Sequence, residues 1–169
     1  MSCSNPKDEY ETLVKSISEQ ETVISQSFDY EFKISTSQSV VSSIDAFMKK
    51  QPDGEFNKLA DSLRTIWVEK VSESIYAKQQ AYQNFKDEIA NSIRASILKL
   101  HPASTVKELK STNLHVKIEG ENLIGEGTFQ SKLKGPLLTT TIYKIKTEVA
   151  ATKSLKTNQT SITEMKSEE

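Results

Sequence analysis

From Phe56 to Leu100, large apolar residues recur every three or four positions with no glycine or proline to interrupt them. Leu59, Leu63, Trp67, Val71 and Ile75 fall at i+4 steps, and Tyr82, Phe85, Ile89, Ile93, Ile97 and Leu100 continue the stripe. That period is helical. Near the middle the stripe thins to Ala77 and Ala81, beside Lys78, Gln79 and Gln80. About 45 residues of helix would run roughly 68 Å at about 1.5 Å per residue, whereas a globule of this size has a radius of gyration of about 15 Å. The sequence therefore predicts one long helix that either bends near 77–81 or packs half of its length on something else.

Before this helix, Asn5-Pro6-Lys7-Asp8-Glu9 has the form of a helix start, with an early proline and acids in the first turn. Tyr10, Leu13, Val14, Ile17, Glu21 and Ile24 follow at a broken helical spacing, predicting a helix over about 6–25. The period then shifts to two: Phe28, Tyr30, Phe32 and Ile34 alternate with Asp29, Glu31, Lys33 and Ser35, which predicts a strand with one buried face. The hydroxyls of 36–39 offer a cap for a second helix carrying Val40, Val41, Ile44, Phe47 and Met48. Pro52-Asp53-Gly54 separates that helix from the long one.

His101-Pro102 ends the long helix, because the residue before proline is pushed out of helical backbone. Leu114, Val116 and Ile118 then alternate with His115, Lys117 and Glu119. A second strand from Leu123 to Leu133 places Leu123, Phe129 and Leu133 on one face and Glu126, Thr128, Gln130 and Lys132 on the other. Gly125 and Gly127 fall on its apolar face, leaving room for a helix to approach or for a bulge. Thr141, Tyr143, Ile145, Thr147 and Val149 form the inner face of a last strand. The expected fold is α+β: a four-stranded antiparallel sheet, one strand plus a three-stranded meander, on a long helix with an N-terminal helix. Residues 1–5 are expected to be a tether, 6–150 one domain and 151–169 a disordered tail, since only Leu155, Ile162 and Met165 are large and apolar in that tail. The arrangement looks like a sheet wrapped on a helix, as in cystatin-like or nuclear-transport-factor-like domains, and small outer-membrane lipoproteins offer another comparison.

Lys+Arg number 22 and Asp+Glu 23, so the net charge of -1 provides no general attraction to nucleic acid, and none is expected as a partner. The single cysteine, Cys3, rules out an intrachain disulfide. With only His101 and His115 beside it, no metal site and no cofactor are expected. His101 stands at a helix C-terminus and His115 on the polar face of a strand. Gly125-Glu126-Gly127 lies within an alternating strand rather than a phosphate loop, and no serine has a nucleophile-elbow context. The chain is not expected to be an enzyme. No apolar run reaches the length of a membrane-spanning helix.

Met1-Ser2-Cys3-Ser4-Asn5 resembles the mature start of a bacterial lipoprotein, with a small residue before the cysteine and a polar tether after it. The resemblance covers these few residues alone. It implies lipidation of Cys3, whose paired acyl chains would anchor the chain stably on the periplasmic or surface side of the cell envelope; a cytoplasmic chain is the alternative. The first functional expectation is thus a membrane-tethered lipoprotein acting by protein–protein interaction. Self-association or a partner would use Tyr76, Tyr82, Phe85, Ile89 and Ile93 on the surplus half of the long helix. The second is a small apolar-ligand carrier with a pocket lined by Phe28, Phe32, Phe129 and Tyr143.

Overall fold

The computed structural model describes residues 5–136 and 142–168. The order is α1 (Pro6–Gln26), α2 (Tyr30–Lys50), α3 (Glu55–Leu100), β1 (Thr105–Ser111), β2 (His115–Glu119), β3 (Asn122–Lys134), β4 (Ile142–Ser154) and β5 (Gln159–Glu168). The fold is α+β with an antiparallel sheet of five strands, not four. The chain packs as two compact units, residues up to Gln79 and residues from Gln80 onward, with the boundary inside α3. The sequence reading places 6–150 in one domain, and the boundary between the two compact units falls inside that span.

The first unit is helical. Asn5 caps α1, its side chain accepting from Lys7 N, with a proline in the first turn. Ile17, Val40, Ile44, Phe47, Ala60 and Trp67 are buried together, and Tyr10, Leu13, Val41, Phe56 and Leu63 pack on them. Tyr10 meets both Phe47 and Phe56 at ring separations of 5.8 and 5.5 Å. Asn57 donates through Nδ2 to the carbonyls of Met48 and Gln51, closing the orphaned end of α2 against the start of α3. Around this core Arg64 pairs with Asp45 at 2.6 Å, Lys70 with Glu21 and Lys78 with Glu31.

The predicted strand over 28–35 is the start of α2 instead. Asp29 is the N-cap, its carboxylate accepting from the amides of Glu31 (2.8 Å) and Phe32 (3.2 Å). Once that end is capped, Ile34, Ser37, Val40, Val41, Ile44, Phe47 and Met48 share a helical face. Alternation over seven residues is outweighed by a longer helical period in which buried Ser37 takes a core position.

In the second unit the C-terminal part of α3 lies on one face of the sheet. Phe85, Ile89, Ile93 and Ile97 are buried against Leu123, Phe129, Leu133, Ile145, Val149 and Ala151. β3 is the central strand: β4 and then β5 run along one side of it, while β1 and β2 share the other. β2 pairs with 122–126 and β1 with 129–134. Both glycines of β3 explain their positions. A side chain at Gly125 would meet Ile89 Cδ1 at 2.8 Å and Phe85 Cε1 at 3.0 Å, so its absence lets the helix close on the sheet. One at Gly127 would meet Leu114 Cα at 2.5 Å, where the β1–β2 connection crosses.

Residues 151–169, expected to be disordered, form the end of one strand, a turn and a further strand in their described part. β4 continues to Ser154, and a turn with Asn158 at φ 54° returns the chain as β5. Ile162 and Met165 of β5 pack on the core, and Thr147 and Ser167 hydroxyls meet at 3.0 Å. An edge strand covered on one face needs few apolar residues, so a Thr/Ser/Lys/Glu composition suffices here. The polar-face assignments of β3, and Ile145, Thr147 and Val149 as inner residues of β4, agree with the sequence reading. Thr141 lies outside the described residues.

Candidate functional site

The residues singled out from sequence are divided between the two units. Phe85, Ile89 and Ile93 are fully buried beneath the sheet and present no surface to a partner. Tyr82 packs half-buried against the same core. The half of α3 that looked surplus is covered by β3 and β4, with partly buried side chains of β1 and β5 packed against the same core. Tyr76 alone of the five stands out, 63% exposed on the helical unit. Of the four pocket residues, Phe28 and Phe32 belong to the helical unit, half-exposed, and Phe129 and Tyr143 to the sheet unit. Phe129 is buried in the core, while Tyr143 stacks on His101 at 6.5 Å. The proposed pocket depended on a strand at 28–34 that does not exist. Cys3 lies outside the described residues.

Two surfaces stand out instead. On the helical unit, Val23 at the end of α1 and Phe32 at the start of α2 flank an open groove of about 410 Å³, floored by Gln20, Ser35, Thr36 and Ser39. Val23 is 51% exposed, and Phe28 and Phe32 are 39% exposed each. The Gln20 Oε1 atom is buried with no hydrogen-bond partner among the described residues. Exposed large apolar side chains beside a groove are a recognised form of partner surface.

On the sheet unit, the face turned away from α3 carries a trough of about 600 Å³ lined by Lys110, Lys132, Lys144, Lys146, Glu108 and Glu168. Strand pairing sets these side chains in rows: Glu108–Lys132–Lys144, then Lys110–Gln130–Lys146–Glu168. Lys132 Nζ lies 2.6 Å from Glu108, which also pairs with Lys110. The hydrogen bonds from Lys110 and Lys132 hold the Glu108 carboxyl down at about 2, well below the usual carboxylate range. Lys146 pairs with Glu148 at 2.7 Å.

A third cluster joins the helix to the sheet. Lys153, on the inner face of β4 and almost buried, donates to Glu88 of α3 at 2.5 Å, and Thr160 of β5 donates to the other oxygen of the same carboxylate. Partial burial alone would push the Glu88 carboxyl up, but the hydrogen bonds from Lys153 and Thr160, with the charge of Lys153, outweigh it and hold the group below its ordinary value.

Among the described residues no group of three or more His, Cys, Asp or Glu side chains is placed to hold a metal ion. Nor is any helix among them long and apolar enough to cross a membrane. No protein-family model, curated protein or solved structure matches the chain.

Proposed function

We propose that this protein is a binding module of a bacterial cell envelope, anchored through lipid on Cys3 and acting by contact with another protein rather than by catalysis. The observation that carries the reading is the pair of exposed apolar side chains, Val23 and Phe32, that flank the α1–α2 groove. Apolar side chains at a groove between two helices suit an amphipathic segment that lays its own apolar face there. The anchor half of the reading is supported by the short sequence around Cys3 alone.

Two measurements test it. A photo-crosslinking residue placed at Val23 or Phe32 in the native host should give a discrete adduct that Phe32→Lys or Val23→Lys at the neighbouring position abolishes; an adduct of twice the chain mass identifies self-association. A clickable fatty acid should label the native gene product and leave Cys3→Ser unlabelled. Absence of any adduct removes the partner surface, and an unlabelled wild-type protein removes the anchor.

A further inference from the structure

We propose that the lysine trough on the outer face of the sheet is a binding site for a compact polyanion of phosphate chemistry. The balanced charge of the whole chain hides an uneven distribution. Across the four paired rows from Thr105–Lys134–Ile142 to Thr128–Glu148–Lys166 there are six lysines and three glutamates, a net charge of +3. The next row holds His115, Glu126, Ala150 and Glu164, so the sign reverses along the same face.

Two features distinguish this surface from an ordinary solvated sheet face. Lys132 and Lys144 are directly opposite each other in the β3–β4 register, an arrangement that costs free energy unless an anion lies between them. Lys144 makes no ion pair among the described residues, and Glu108 is already shared by Lys110 and Lys132. The surface is also concave, and its roughly 600 Å³ falls within the range of small-ligand sites. The ion pairs that line it are solvent-exposed, so they hold their lysines only weakly and release them to a stronger anion. Ammonium groups from three neighbouring strands then converge on one ligand as point charges, a geometry suited to several phosphate oxygens rather than to one planar carboxylate.

The test is calorimetric titration of the full chain at low salt with tripolyphosphate, and in parallel sedimentation with phosphatidylcholine vesicles with and without phosphatidylglycerol. Saturable binding of tripolyphosphate assigns a free polyphosphate-type ligand; binding only to the anionic vesicles assigns a lipid headgroup. In either arm Lys144→Gln should weaken binding about tenfold and Lys132→Gln/Lys144→Gln should abolish it, with strong salt dependence throughout. Lys15→Gln/Lys49→Gln, which removes the same charge from the helical unit, should leave affinity unchanged. Lys144→Gln breaks no ion pair and should raise the melting temperature of the unliganded protein by relieving the Lys132 repulsion. No binding in either arm, or binding that survives Lys132→Gln/Lys144→Gln, overturns the proposal.

Discussion

Lys153 Nζ on β4 donates to Glu88 Oε1 on α3 at 2.5 Å, an ammonium 9% exposed held by a carboxylate 40% exposed. The asymmetry between the two partners fixes what each substitution does. Glu88→Ala leaves an almost buried charge unpaired and should cost about 1–2 kcal/mol, less than the roughly 3–5 kcal/mol of a fully buried pair because Glu88 is partly screened. Lys153→Met fills the same volume without a charge and should be within about 1 kcal/mol of wild type. Urea midpoints of the two variants check the ordering, and equal losses would remove the account.

The same pair sets an acid limb. The Glu88 carboxyl is held below its ordinary value in the folded protein, so the stability it contributes is complete above the unfolded value of about 4.3 and is lost as pH falls through the lowered folded value. Glu88→Gln should flatten the fall in stability as pH drops below about 4.3, read as melting temperature against pH.

The β3 glycines predict an order of sensitivity. At Gly125 an added methyl meets the tips of the Ile89 and Phe85 side chains, which can give way; at Gly127 it meets the backbone of Leu114 at 2.5 Å. Gly125→Ala should therefore cost about 1 kcal/mol and Gly127→Ala about 3 kcal/mol. Thermal denaturation ranks them, and a larger loss at Gly125 contradicts the packing described for Leu114.

Asp29 offers the simplest check on the helical start of α2. Asp29→Ala removes two hydrogen bonds to the amides of Glu31 and Phe32 and should destabilise the protein by about 1 kcal/mol, while Asp29→Ser recovers most of it. A strand at 28–34 would make the two substitutions indistinguishable in a melt.

Removing the chain after Ser154 deletes β5, uncovers one side of Val149 and Ala151 and takes away the Thr160 bond to Glu88. Hydrogen exchange at the amides of β4 should accelerate by orders of magnitude. A disordered tail would leave those rates unchanged.

What could be read from sequence follows the strength of each signal. The continuous α3, both faces of β3 and the role of Gly125 were legible because each repeats one period over ten or more residues. The start of α2 was not, because Phe28, Tyr30, Phe32 and Ile34 alternate by coincidence and Ser37 interrupts the apolar helical face that would have exposed the longer rhythm. β1 is not legible in the sequence because Lys107 stands at a register shift that breaks its alternation. β5 is short of apolar residues, and the one usable mark of its hairpin is Asn158, a residue type that tolerates positive φ. The trough is invisible in sequence for another reason: its lysines come from three strands and converge only through register. Tyr76 is among the partner residues expected from sequence, whereas the Val23–Phe32 patch needs the α1–α2 turn to bring its members together.

The attachment of Glu88 to Thr160 spans 72 residues of sequence, whereas the paired helices α1 and α2 are consecutive. Loop closure makes distant contacts slow and neighbouring ones fast. The helical unit should thus acquire its protection within the first kinetic phase of refolding, and the sheet unit should remain open to chaperones and proteases until its final hairpin docks. Time-resolved exchange on the intact chain would display that order as two separate waves.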